Sequence, residues 1–252
     1  MLTPSKKTKL FKAIKSYNKK YLSSKTFDLD ESGTRLMVNS FLTDILGFIP
    51  IEEVKTEYLI RGTYADYVIQ TKGIRQFLVE VKALSYDLLD KHLRQAINYG
   101  ANEGIEWALL TNGRKFDFYK IIFNKPIESR KVFSIDITDT EKLKINVETL
   151  QYLHRDSIMS KGLNQLWNKS CALDPASLAS LLFASTVNNF IKRTLQKKFK
   201  CKFTDPEIQD ALHKLVNESF ETKGIKPAKT RSKKKPIKKE IIPVSEEVEK
   251  VI

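Results

Sequence analysis

Two cysteines, three histidines and no long apolar run leave this 252-residue chain with few ways to hold itself together other than an ordinary packed core. Cys171 and Cys201 lie far apart, and His92, His154 and His213 are scattered, so neither a disulfide framework nor a structural zinc is expected. No stretch of about eighteen apolar residues is present, which argues against a membrane span. The N-terminal Met1-Leu2-Thr3-Pro4-Ser5-Lys6-Lys7 is charged and runs into an amphipathic pattern, which is unlike a signal peptide. The expectation is a soluble, cytoplasmic protein with no membrane partner. Its 41% hydrophobic content is enough for one sizeable domain and an appendage.

Acid is what the two ends lack. The formal charge is +14, yet residues 1–25 hold eight lysines and no acid, and residues 223–239 hold nine Lys or Arg and no acid. From 26 to 222 the 26 basic and 26 acidic residues cancel. A neutral core with positive arms suits a polyanion such as nucleic acid, because each phosphate contact releases counterions. A solvated tail that only aids solubility is the other reading of the C-terminal arm.

Periodicity divides the chain. Residues 5–21 read as a basic amphipathic helix with Leu10, Phe11, Ile14, Tyr17 and Tyr21 on one stripe, which should dock on the core. Asp28, Asp30 or Ser32 caps a second helix that runs to Leu46 before Gly47 stops it. Strands are expected at Val54–Ile60, Ala65–Ile69 and Phe77–Val81, then a helix over 87–102, then strands Trp107–Thr111 and Phe116–Ile122 around the turn Asn112-Gly113. Beyond Asp136 the pattern turns helical, at 141–153, 158–167, 175–199 and 206–220, with Asp174-Pro175 and Asp205-Pro206 as helix starts. The order is that of an α/β fold. The division expected is 1–25, a basic N-terminal helix; 26–154, the main domain; 155–222, a small helical appendage; and 223–252, a basic tail whose prolines among lysines argue for disorder.

Chemistry concentrates in two segments, Tyr64-Ala65-Asp66-Tyr67 and Val79-Glu80-Val81-Lys82. Alternation puts Glu80 and Lys82 on one face of a strand and Val79 and Val81 on the other. The strand before it carries Asp66 and is joined to it through Thr71-Lys72-Gly73, a turn with the glycine a reversal favours. Two carboxylates and a backbone carbonyl make a hard oxygen site for Mg²⁺, which activates water and stabilises charge on a scissile phosphate. Lys82 would orient that water or stabilise the transition state. The triplet by itself is common, and a surface Glu and Lys at a strand end is its other reading. The chain's two further Glu-x-Lys triplets, Glu53-Val54-Lys55 and Glu221-Thr222-Lys223, do not end an apolar strand preceded by an Asp-bearing one.

Companion positions add to the pattern. Glu31 and Arg35 lie four apart at the start of the second helix, Gln95 and Tyr99 share that spacing on the helix after the Glu80 strand, and Glu57 sits in the first strand. The ordered set Glu31…Thr34-Arg35, Phe41-Leu42…Leu46-Gly47-Phe48, Glu57, Tyr64-Ala65-Asp66-Tyr67, Val79-Glu80-Val81-Lys82-Ala83, Gln95-Ala96-Ile97-Asn98-Tyr99 and Trp107-Ala108-Leu109-Leu110-Thr111-Asn112-Gly113 resembles the N-terminal nuclease domain of type I restriction enzyme R subunits, in the PD-(D/E)XK superfamily. The likeness covers about residues 28–125.

The resemblance implies a restriction-endonuclease-like fold, a central mixed β-sheet flanked by helices. It implies Asp66 and Glu80 as metal ligands with the Val81 carbonyl, Mg²⁺ or Mn²⁺ as cofactor, and Lys82 as the catalytic lysine. Gln95 and Tyr99 look like the family's Gln-x-x-x-Tyr element, which contacts DNA or supports the site, and Glu31 resembles the helix acid beside the metal. Glu57 is read equally well as a surface residue. No Gly-x-x-x-x-Gly-Lys-Ser/Thr loop is present, so the ATP-driven translocation of complete R subunits is not expected. The function implied is a Mg²⁺-dependent DNA nuclease of a bacterial or phage defence system or mobile element. The alternative is a nucleic-acid-binding protein on a nuclease scaffold that does not cleave. Double-strand cleavage would call for a homodimer, though no dimer surface is visible in the sequence.

Overall fold

Thr3 starts the first helix by accepting the Lys6 amide on its hydroxyl, with Pro4 in the first turn, where its missing N–H costs nothing. The computed structural model describes residues 1–23, 29–60 and 63–218. Asp28, one of the three candidate caps, and the basic arm and tail from 223 onward lie outside the described residues. Helix α1 (Pro4–Tyr21) is docked by Leu10, Ile14 and Tyr17, with Phe11 and Tyr21 partly buried beside them. Tyr17 donates its hydroxyl hydrogen to the Gly113 carbonyl (3.0 Å). Asp30 is the cap of α2 (Glu31–Ser40), accepting the Gly33 amide at 2.7 Å. The helix widens into a π turn over Phe41–Ile45 and stops at Gly47 (φ 77°), as expected.

Six strands follow: β1 (Val54–Ile60), β2 (Thr63–Thr71), β3 (Ile74–Val81), β4 (Trp107–Thr111), β5 (Lys115–Ile122) and β6 (Glu128–Asp136). They form one sheet in chain order, antiparallel throughout except for the parallel pair β3–β4. A parallel pair needs a long crossover, and α3 (Asp90–Glu103) provides it. The β2–β3 turn is the expected Lys72-Gly73, both with positive φ (50° and 74°), the geometry whose twist matches a hairpin.

Each face of the sheet has its own cover. Phe77, Val79 and Val81 of β3, Trp107 and Leu109 of β4, and Phe116 and Phe118 of β5 share one apolar cluster with α1, α2, α4 (Leu143–Leu150), α5 (Arg155–Met159) and α6 (Gly162–Ala172). Phe41 stacks on Phe116 at 4.3 Å and Trp107 on Phe118 at 5.0 Å between ring centroids. On the opposite face, α3 lays Leu93, Ala96 and Tyr99 over Leu78, Ala108, Leu110 and Tyr119. The result is the mixed α/β sheet flanked by helices that the sequence implied.

Strand β6 was not expected. Glu128, Arg130 and Lys131 make its first half polar, which an edge strand tolerates, and a register shift at Phe118/Tyr119 in its partner breaks the alternation that would have marked it. The helix expected over 158–167 is instead two, α5 and α6, divided at Lys161 (φ 60°). A β-carbon at Gly162 would lie 2.7 Å from the Ser157 carbonyl oxygen, so glycine permits the close turn. The long helix expected over 175–199 is divided into α7 (Pro175–Leu182) and α8 (Ser185–Phe199). Asn188 in the first turn of α8 donates to the Phe183 carbonyl at 3.4 Å, a bond that holds the start of that helix.

Two compact units result, 1–180 and 181–252. Within the expected appendage, Ile158, Leu163 and Leu166 belong to the sheet's own apolar cluster. In the second unit α8 pairs with α9 (Asp205–Glu218), where Phe183 stacks on His213 at 4.2 Å and Ile208 and Leu212 are buried. Thr204, one residue before the expected Asp205, accepts the Glu207 amide while Glu207 accepts the Thr204 amide, a reciprocal cap. Among the described residues no helix is long and apolar enough to cross a membrane.

The β4–β5 turn makes a testable demand. Gly113 has φ 78°, and a β-carbon there would run into Met37 Cε. Gly113→Ala should cost about 1–2 kcal/mol, mostly positive-φ strain, because the Met37 methyl is the far end of a flexible side chain and can shift. A thermal melt should fall by roughly 2–8 °C, and an unchanged melting temperature would show that the turn relaxes freely.

Candidate active site at the end of strand β3

Residues Tyr67 and Val79 are paired across β2 and β3, so Asp66 and Glu80 occupy the next rung on the face opposite the large core. Val79 and Val81 point into that core, which fixes Glu80 and Lys82 on the other side, as alternation predicts. Lys82 Nζ lies 2.7 Å from Glu80 Oε1. Asp66 Oδ2 accepts the Val81 amide at 2.7 Å, tying the two strands at the point where their charges meet.

Helix α2 brings the remaining charges. Arg35 Nη2 is 2.7 Å from Asp66 Oδ1 and 2.9 Å from Glu31 Oε1, while Glu31 Oε2 is 3.6 Å from Lys82 Nζ. The helix is tied to the strands by Thr34 and by Tyr67. Thr34 Oγ1 accepts the Leu84 amide just past β3 (3.0 Å) and donates to the Asp30 carbonyl (2.7 Å), and the Tyr67 hydroxyl donates to the Arg35 carbonyl (2.6 Å). Asn112 holds the loop after β3 by donating to the Leu84 and Tyr86 carbonyls.

Three carboxylates and two cations thus share a partly dry site. Burial raises the Asp66 carboxyl above its ordinary range against the pull of the Val81 amide, Arg35 and Lys82. Burial likewise pushes Glu80 up to about 7, with Asp66 and Glu31 adding to it and the Lys82 bond opposing it. At Lys82 burial works against the charge, but the Glu80 bond and the charges of Glu80, Glu31 and Asp66 outweigh it and raise the ammonium above its usual value. Burial and the positive Lys82 and Lys91 lower the His92 imidazole, which is therefore neutral at pH 7.

Glu80 Oε2 is buried and has no hydrogen-bond partner. An unmet buried acceptor costs about 1–3 kcal/mol, and more when charged, so this oxygen fits a ligand for a hard cation. Among the described residues no three His, Cys, Asp or Glu side chains converge as a ready metal cluster. Glu31, the third acid, is engaged by Arg35 and Lys82.

No family model matches the chain. No curated protein sequence matches it either. Among solved structures it is similar to the type IIG restriction endonuclease BpuSI, at 24% identity and a TM-score of 0.33, over 54% of this chain and 18% of that chain's length.

The ion pairs and the Asp66–Val81 bond bring Glu31, Asp66, Glu80 and Lys82 together. The other two expected site residues, Gln95 and Tyr99, are bonded to each other, with Gln95 Nε2 donating to the Tyr99 hydroxyl at 2.7 Å. Tyr99 is buried against Ala65, Val68, Leu78 and Ile105, so it braces β2 and β3 beside Asp66, while Gln95 is exposed. Glu57 is exposed in mid-strand with φ 45°, between the Thr56–Tyr67 and Tyr58–Ala65 pairs and hence level with Asp66. Arg35 was marked in the sequence by its spacing from Glu31 and its place in the resembling set, but with no site role, and its contact with Asp66 comes from tertiary structure.

Proposed function

We propose that the chain is a Mg²⁺- or Mn²⁺-dependent deoxyribonuclease of the PD-(D/E)XK kind, hydrolysing phosphodiester bonds in a defence system or mobile element. The observation that carries this reading is the buried, unpartnered Glu80 Oε2 on the strand beside Asp66, with Lys82 bonded to the other Glu80 oxygen. Asp66, Glu80 and the Val81 carbonyl would hold the ion, a hard oxygen set of the kind Mg²⁺ prefers. Bound there, the ion would supply Lewis-acid polarisation of the phosphate and a water acidic enough to attack it.

The chain's own groups supply the rest. Lys82, kept charged by three acids, stabilises negative charge developing on the phosphate. Glu31 adds a second negative charge 3.6 Å from the lysine, which helps keep it protonated. Tyr99 holds the exposed Gln95 amide in one orientation, available to a phosphate or base edge. Lys9, Lys12, Lys15, Lys19 and Lys20 stand exposed on α1, a helix with no acid, and suit the sequence-independent part of nucleic-acid affinity.

Plasmid cleavage in Mg²⁺ tests the reading, comparing wild type with Asp66→Asn and Glu80→Ala. Each variant should lose at least about 10²-fold in rate. Equal cleavage by all three would trace the activity to a contaminant. Salt-dependent binding without cleavage of unmodified, modified, single-stranded or RNA substrates would favour the non-cleaving binding protein instead.

A further inference from the structure

The nuclease reading gives no role to Arg35, yet this side chain touches two of the three acids. A single nitrogen, Nη2, serves both Asp66 Oδ1 (2.7 Å) and Glu31 Oε1 (2.9 Å), and Nε is buried without a partner. Guanidinium–carboxylate pairs are frequently two-pronged, both nitrogens to one acid. Here the guanidinium is divided between two acids and leaves a donor unused.

The two expected ligands also differ in what they have free. Glu80 gives one oxygen to Lys82 and keeps Oε2 open. Asp66 has both oxygens engaged, Oδ2 by the Val81 amide and Oδ1 by Arg35. The Val81 N–H is a backbone donor on a paired strand and stays where the sheet holds it. The guanidinium sits on a flexible side chain that is about a third exposed (35%), and one turn back on its own helix is a second acceptor, Glu31.

We propose that Arg35 is the resident counter-cation of the metal site: it neutralises Asp66 in the metal-free chain and withdraws onto Glu31 when a divalent ion binds, so that ion and guanidinium compete for one carboxylate. This rests on the metal-binding reading of Asp66 and Glu80. The physical cause is like-charge repulsion, since a guanidinium and a divalent cation cannot share Asp66 Oδ1 in a poorly solvated site. Arg35 is therefore a positioning residue that sets how much metal the site needs before it is assembled.

Mn²⁺ binding to the full chain, followed by calorimetry at pH 8, reads this without reference to cleavage. Arg35→Gln should bind Mn²⁺ about tenfold more tightly than wild type, a coupling of ordinary size. Arg35→Lys, with a shorter single-point charge, should shift affinity in the same direction by about threefold and serves if the glutamine variant does not fold. Glu31→Gln, which removes the place of withdrawal, should weaken binding, and that effect should vanish in the Glu31→Gln/Arg35→Gln double variant. Weaker or unchanged Mn²⁺ affinity in both Arg35 variants, with Glu80→Gln binding less than wild type, would overturn the role of Arg35 and leave the metal site standing. Glu80→Gln binding as well as wild type would overturn the metal site itself, and this inference with it.

Discussion

Lys82→Met should reduce DNA cleavage by about 10²- to 10⁴-fold while leaving Mn²⁺ binding in place. The two measurements separate because Lys82 is bonded to Glu80 Oε1 and leaves Oε2 untouched. Removing its charge also removes a competitor for the ligand, so metal affinity should hold or rise. The loss should appear in kcat with KM little changed, the mark of an interaction made mainly in the transition state. A lysine raised above its usual value stays protonated through neutral pH and cannot act as general base there. Its contribution is electrostatic, and Lys82→Arg should recover part of the rate. A Lys82→Met protein that keeps more than about a tenth of wild-type kcat would remove the lysine from the chemistry.

The parts of this site that were legible in the sequence are those set by short-range periodicity. Glu80 and Lys82 share a face because side chains alternate, and Val79 and Val81 show which face is buried. The Lys72-Gly73 turn that pairs the two strands was also legible, but Asp66 lies level with Glu80 only because the register shifts by one residue at Ile69/Gln70, a bulge with no mark in the sequence. The spacing of Glu31 and Arg35 predicts that they meet, and they do so at 2.9 Å. The contact of Arg35 with Asp66 had no such signature, because it depends on where Thr34 and Tyr67 anchor α2 against the strands. Glu57 was ambiguous in the sequence, and its positive φ beside the Asp66 rung is a property of the assembled sheet.

The fold divides the same way. Strands β1 to β5 and helices α1 to α3 carry clear apolar periods, and their positions match within a few residues. Strand β6 escaped because its pairing with β5 is bulged and its first half is charged, so backbone bonding to a neighbour, not apolar alternation, defines it. The helix breaks at Lys161 and at Phe183-Ala184 contain no proline. The first follows from a close approach that Gly162 allows, and at the second a side-chain bond from Asn188 holds the start of the next helix. Tertiary partners of that kind have no local signal to read.

Glu80→Gln should make the metal-free protein more stable at pH 8 while abolishing cleavage. In the folded chain Glu80 titrates at about 7 instead of the ordinary 4.5, because burial penalises its charged form. Between those values the folded state binds more protons than the unfolded state, so wild-type stability falls as pH rises from about 4.5 to about 7, and above that the whole cost is present. Glutamine is never charged and escapes this cost. The variant should gain on the order of 3 kcal/mol at pH 8, or roughly 6–12 °C in melting temperature, and less than about 1 kcal/mol at pH 5. Saturating Mn²⁺ should reverse the order by stabilising wild type alone, since binding to the folded state adds to its stability. A gain equal at both pH values would assign the effect to packing, and no gain at pH 8 would mean that Glu80 is not desolvated. The expected outcome makes the carboxylate a residue kept at a cost in stability for the sake of a charge that Lys82 offsets only in part and a bound cation would relieve further.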